Sequence, residues 1–156
     1  MRSVLFVCTG NICRSPTADG VFAKLVADAG LDVLVDSAGT HGYHIGDPPD
    51  PRSIRAARTR GYDLSPLRAR KLVAADFTRF DLILAMDRGH LDIMRRMAPA
   101  GSTAELSLFA DHAPAPWRGR DVPDPYYGGA DGFVEVLDMV EAGAKALLAR
   151  ARAVFG

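Results

Sequence analysis

Two residues in this chain have the types and the spacing for covalent chemistry on an anion. Cys8 and Arg14 are separated by five residues, Thr9-Gly10-Asn11-Ile12-Cys13, and Ser15 follows directly. A thiol is a useful nucleophile at neutral pH only as the thiolate, and a helix N-terminus with a nearby cation lowers a thiol pKa from about 8.5 to below 7. Arginine carries a planar fork that holds two oxygens of a phosphoryl group at once, which the point charge of lysine does not. Five intervening residues are enough to curl round one tetrahedral oxyanion. Sulfur then lies below phosphorus, backbone N–H groups of residues 9 to 15 surround the equatorial oxygens, and the guanidinium closes the ring. Ser15 is placed to donate its hydroxyl to the thiolate.

The elements needed to position this loop are legible around it. Val4-Leu5-Phe6-Val7 is an unbroken apolar run, which reads as a strand buried on both faces, as in a parallel sheet. Gly10 and Asn11 mark a tight loop. Ser15 is expected as N-cap and Pro16 as the first residue of a helix, where the missing N–H costs nothing. Ala18, Val21, Phe22, Leu25, Val26 and Ala29 form one face of that helix, and Gly30 ends it. Leu31 to Val35 is a second strand candidate, and a strand–helix–strand crossover makes the pair parallel. Cys8 then sits at the C-terminal edge of the sheet, where open α/β sheets place ligands, beside a helix N-terminus that favours negative charge.

Downstream, residues 36–51 read as a long Gly/Pro-rich loop that emerges beside Cys8, and loops of this length are functional or disordered. A helix is expected from about Arg52 to Arg60, closed by Gly61. Phe80 to Met86 is another buried strand, followed by a helix with Leu91, Met94 and Met97 inward. Glu105 to Phe109 is a weaker strand. Residues 110–130 are irregular, with four prolines and Trp117 as a half-buried anchor. The last long helix turns Phe133, Val136, Leu137, Val140, Ala144, Leu147, Leu148 and Ala151 inward. The expected fold is one α/β domain over residues 1–156, a parallel sheet of about four strands with helices on both faces and an anion-binding loop after the first strand.

Composition narrows the function classes. Lys+Arg and Asp+Glu balance at 19 each, which gives no general reason to expect nucleic acid or a membrane surface as partner. No apolar run approaches the roughly 18 residues of a bilayer span, and the N-terminus enters the first strand without a signal peptide. Two cysteines, both in the opening loop, are no disulfide scaffold and point to a reducing, cytoplasmic setting. Seven basic residues between Arg52 and Lys71 face one acid, Asp63, and read either as a solvated helix face or as a rim for an acidic partner.

Beyond the residues themselves, the string Val4 to Ala18 resembles the signature of the low-molecular-weight protein tyrosine phosphatases, and Asp124-Pro125-Tyr126-Tyr127-Gly128 resembles that family's second mark. The similarity continues through Val35-Asp36-Ser37-Ala38-Gly39-Thr40, Gly46-Asp47-Pro48-Pro49-Asp50, and Asp76 to Asp87, and so covers nearly the whole chain. It implies a single phosphatase domain that hydrolyses phosphotyrosine through a cysteinyl-phosphate, without metal or other cofactor. Cys8 is then the nucleophile, Arg14 the phosphoryl clamp and Asp124 the general acid, shielded from water by two tyrosines. The phosphate-binding loop is Thr9, Gly10, Asn11, Ile12, Cys13, Arg14 and Ser15. Asn11, Ser15 and Ser37 brace that loop, while Ile12, Tyr43, His44, Tyr126 and Tyr127 line the substrate pocket. A bracing histidine after the second helix, usual in the family, has no counterpart in Ser65-Pro66-Leu67-Arg68. His41 and His44 read as rim residues rather than metal ligands. The implied partner is a phosphotyrosine protein, with a bacterial tyrosine kinase as the candidate, and the implied state is a monomer.

Two other chemistries share the cradle. A thiol-dependent arsenate reductase needs relay cysteines beyond Cys13, and there are none. For a protein arginine phosphatase the family resemblance implies threonine after the loop asparagine; Ile12 stands there, which favours phosphotyrosine. A phosphate-binding module without catalysis is the alternative of a different class, and under it Cys8→Ser would keep all function. Cys13 reads either as filler or as the partner in a reversible Cys8–Cys13 disulfide that protects Cys8 from over-oxidation.

Overall fold

The computed structural model describes residues 1–155. Four strands, β1 (Ser3–Cys8), β2 (Leu34–Gly39), β3 (Leu82–Ala85) and β4 (Glu105–Leu108), form one wholly parallel sheet in the order β2-β1-β3-β4. The helices are α1 (Arg14–Asp28), α2 (Pro51–Arg58), α3 (Asp76–Arg79), α4 (Arg88–Met97) and α5 (Ala130–Phe155). All six residues of β1 are buried, as its apolar run requires in the middle of a parallel sheet.

Alternation along β1 serves two cores. Val4, Phe6 and Cys8 face α1, α2 and α5, whereas Leu5 and Val7 face α3 and α4. Phe6 meets Phe22 of α1 and Phe109 edge-on, each with ring centroids 5.9 Å apart. Burying one such ring contributes about 2–3 kcal/mol. Helices therefore cover both faces. The chain leaves β1 toward β2 on one side and returns to β3 on the other, so the crevice between the C-terminal ends of β1 and β3 is the switch point of this sheet.

Several boundaries differ from the sequence expectation. β2 starts at Leu34 rather than Leu31 and runs on through Asp36 to Gly39, taking four residues from the expected loop. Polar residues are tolerated there because β2 is an edge strand whose end faces the polar bracing of the Cys8 loop. Helix α1 starts at Arg14 with Cys13 as N-cap and no side-chain cap, so Ser15 is not the N-cap: its hydroxyl is engaged elsewhere. Gly30 follows the Ala29 C-cap with φ +70°, the left-handed stop its residue type suggests. The one-turn α3 was not anticipated; Asp76 at its first position ties back to Arg70 and the Val73 N–H. The strand expected over Phe80–Met86 pairs only from Leu82 to Ala85, and α2 is Pro51–Arg58. Residues after Leu108 open with a single 3₁₀ turn, Phe109–His112, and Trp117 packs half-buried against the core.

Candidate active site

The loop from Cys8 to Arg14 closes over the end of β1. The Cys8 carbonyl accepts from the Thr40 N–H at 2.8 Å and the Thr9 carbonyl from the His41 N–H at 3.0 Å, which locks the loop to the segment after β2. A Cβ at Gly39 would lie 2.7 Å from the Thr9 oxygen, so this close passage needs glycine. Asn11 adopts φ +59°, a left-handed conformation that asparagine tolerates better than most residues.

Asn11 is the hub of a buried, directional network. Its Nδ2 donates to Ser15 Oγ at 2.8 Å and to Ser37 Oγ at 3.0 Å, and its Oδ1 accepts from the Arg70 backbone N–H at 3.0 Å. Ser15 Oγ, which accepts from Asn11, also lies within hydrogen-bond reach of Cys8 Sγ, 3.0 Å away. Ser37 Oγ donates to Asp19 Oδ2 at 2.9 Å. Burial pushes the Asp19 carboxyl up to about 6, against the hydrogen bond from Ser37 that works to lower it. The Ser15 hydroxyl, in this position, has a proton to donate to a thiolate and a lone pair to accept from a thiol. Cys8 and Cys13 are both free and buried; burial pushes the Cys13 thiol up to about 12, so it stays neutral.

Arg14 is fixed from the far side of the crevice. Its Nη1 donates to Asp87 Oδ2 at 2.8 Å and to the Val122 carbonyl at 3.1 Å, while Nη2 lies 3.7 Å from Asp124 Oδ2. Asp87 directly follows Met86 after β3 and caps α4. Burial works to raise its carboxyl, yet the His90 N–H and Arg14 outweigh that and hold it below its ordinary value. His90, three residues on, accepts the Asp87 N–H at Nδ1, which leaves Nε2–H to donate to Thr9 Oγ1 at 2.7 Å. Burial, and then the Arg14 charge, lower the His90 pKa to about 4, so the ring is neutral at physiological pH.

A cavity of about 230 Å³ opens over this arrangement. Its floor is Cys8, Thr9, Gly10, Ile12, Cys13 and Arg14; Tyr43 and His44 form one side, and Asp124, Tyr126 and Tyr127 the other. The Tyr126 N–H donates to Asp124 Oδ1 at 3.1 Å and aims the other oxygen at Arg14. Such a space takes one flat ring end-on, with a tetrahedral anion at the floor.

The model of the low molecular weight phosphotyrosine protein phosphatase family matches residues 3–154. This chain belongs to that family. A Streptomyces coelicolor low molecular weight protein-tyrosine-phosphatase is 51% identical over 153 residues, covering 96% of this chain and 93% of its own. The crystal structure of an Entamoeba histolytica protein tyrosine phosphatase superposes with TM-score 0.92 at 34% identity over 100% of both chains. A Drosophila arginine phosphatase structure is also similar, with TM-score 0.87 and 31% identity over 96% of this chain and 97% of that one.

The structure places the loop residues Cys8 to Arg14 except Asn11, together with Tyr43, His44, Asp124, Tyr126 and Tyr127, around one cavity, and Asn11, Ser15 and Ser37 directly behind it. Cys8, Arg14 and Asp124 converge, and Asn11, Ser15 and Ser37 form one hydrogen-bonded unit. Two details differ. Asp124 is not shielded by the tyrosines: its side chain is 46% exposed, and Tyr127 is 90% exposed. The bracing histidine is not replaced by another side chain in its own segment; the Arg70 N–H takes up the Asn11 carbonyl. Asp19, Asp87 and His90 were missed. Asp87 and His90 carried a local signal, an Asp-x-x-His pair opening a helix after a buried strand, which is capping-box spacing.

Proposed function

We propose that this protein hydrolyses phosphotyrosine monoesters by way of a phosphorylated Cys8. The observation that carries the proposal is the convergence of a buried thiol, with a hydroxyl 3.0 Å from it, a fixed guanidinium and a half-exposed carboxyl on one cavity. Cys8 Sγ attacks phosphorus in line, forming the S–P bond as the P–O bond to the phenol breaks. Asp124, as the carboxylic acid, delivers its proton to the departing oxygen and then, as carboxylate, takes a proton from the water that cleaves the S–P bond. Arg14 and the loop N–H groups hold the three equatorial oxygens as charge moves through them. Asn11, Ser15 and Ser37 keep the loop in its anion-binding shape. Tyr43 and Tyr126 flank the phenyl ring, and His44 and Tyr127 complete the mouth. Ile12 puts an aliphatic side chain where threonine would favour phosphoarginine.

The substrate is a phosphotyrosine-bearing protein, with a tyrosine kinase as the candidate, and the enzyme works as a monomer in the reducing cytoplasm that keeps Cys8 free. The test is hydrolysis of p-nitrophenyl phosphate in EDTA, run beside phosphoarginine and arsenate. Wild-type turnover that vanishes in Cys8→Ser supports the reading; undiminished turnover in Cys8→Ser sinks it.

A further inference from the structure

The arginines from Arg52 to Arg70 differ in what holds them, and Arg68 is bound to the Ser65 and Leu67 carbonyls. Arg60 is tied to Asp138 at 2.7 Å and to Glu141 at 2.5 Å, Arg70 to Asp36 at 3.2 Å and Asp76 at 3.0 Å, and Arg52 to Asp50 at 2.8 Å. Arg55 and Arg58, exposed on α2, enter no ion pair among the described residues. Arg55 stands over a second cavity of about 230 Å³ between α2 and the start of α5, whose floor is apolar: Ala56, Ala130, Phe133 and the 44% exposed Val134.

This groove shares a wall with the catalytic cavity. Arg52 lines the groove, stacks over the Tyr126 ring at 5.5 Å from its centroid, and donates to the Tyr126 carbonyl at 3.0 Å. Tyr126 in turn lines the catalytic cavity. Phe133 lies under Arg52 at 4.6 Å and belongs to the small core that includes Ile12 and Cys13. The groove therefore opens next to the Tyr126 side of the catalytic cavity, within reach of residues flanking a phosphotyrosine bound there.

We infer that the α2–α5 groove binds the segment flanking the phosphotyrosine, and that it selects a carboxylate side chain next to an aliphatic one. The inference rests on the phosphotyrosine reading above. The carboxylate pairs with the unpaired Arg55, with Arg58 one turn along adding to the field, and the aliphatic neighbour covers Val134 and Ala130. A solvent-exposed pair of this kind changes an equilibrium by up to about fivefold, and reversing the charge makes the swing about tenfold.

The experiment compares kcat/KM for two phosphotyrosine peptides, one flanked on both sides by glutamate and leucine, the other by lysine and glycine. p-Nitrophenyl phosphate, which cannot reach the groove, is the control. Arg55→Glu should lower kcat/KM for the acidic peptide about tenfold, raise it for the basic one, and leave p-nitrophenyl phosphate unchanged. Added salt should shrink the wild-type preference. An unchanged peptide ratio in Arg55→Glu overturns the inference. So does a wild-type dimer in sedimentation that Arg55→Glu dissociates, since the groove then belongs to a second copy of the chain. Failure of wild type on p-nitrophenyl phosphate would instead strike the phosphatase reading itself.

Discussion

Two buried groups behind the cavity push the pH dependence of stability in opposite directions, and removing either one should reveal the other. Asp19 is raised from 3.8 to about 6, chiefly by burial, and His90 is lowered from 6.5 to about 4, chiefly by burial. Between those limits native Asp19 keeps a proton that the unfolded chain has released. Its contribution is therefore full below about pH 4 and lost as pH rises through about 6. His90 behaves inversely: the unfolded ring takes up a proton below its ordinary 6.5 while the native ring stays neutral. Its contribution is present above that value and lost as pH falls toward 4. Each displacement spans about two pH units, which at roughly 1.4 kcal/mol per unit is about 3 kcal/mol over the window. Asp19→Asn keeps an oxygen to accept from Ser37 but cannot ionise. Its unfolding free energy minus that of wild type should therefore rise by about 3 kcal/mol from pH 4 to 7. Urea titrations at half-unit intervals read this directly, and subtraction removes the carboxylates common to both proteins. His90→Asn should give a difference of the opposite slope. An Asp19→Asn difference that stays level within about 1 kcal/mol would refute the burial argument for Asp19.

Three further perturbations address the cavity. Asp124→Ala should slow turnover of p-nitrophenyl phosphate by about 10²–10⁴-fold, the usual worth of a general acid, while vanadate affinity in a calorimeter is retained. Asn11→Ala removes two donated hydrogen bonds and puts alanine at a positive φ. It should cost about 2–4 kcal/mol in urea unfolding and lower activity, with the loss in kcat larger than that in KM. Ile12→Thr should move the ratio of phosphoarginine to phosphotyrosine turnover toward phosphoarginine, and an unmoved ratio removes Ile12 as the discriminator.

The parts of the fold readable in advance are those whose signal is local. Val4 to Val7 announces a doubly buried strand, Gly10-Asn11 the loop, and the spacing from Phe133 to Ala151 the closing helix. Ser15 was misread because the capping preference of serine is weaker than the demand from Cys8 and Asn11 for its hydroxyl, a demand visible only in three dimensions. The polar end of β2 was hidden for the same reason: Ser37 looks like a loop residue until Asn11 and Asp19 are on either side of it. Asp87 and His90 lie over seventy residues from Arg14 and Thr9 and meet them only because β3 is parallel to β1. The basic run could not be sorted into paired and unpaired arginines without α5, which supplies Asp138 and Glu141.

The central claim is that Cys8 carries the phosphoryl group between the two halves of the reaction. Asp124→Ala mixed with p-nitrophenyl phosphate, quenched in acid and digested, should yield the peptide spanning Cys8 with phosphate bound to sulfur, as read by mass spectrometry. Release of a stoichiometric burst of p-nitrophenol with no phosphate on that peptide, or with phosphate on another residue, would contradict the account.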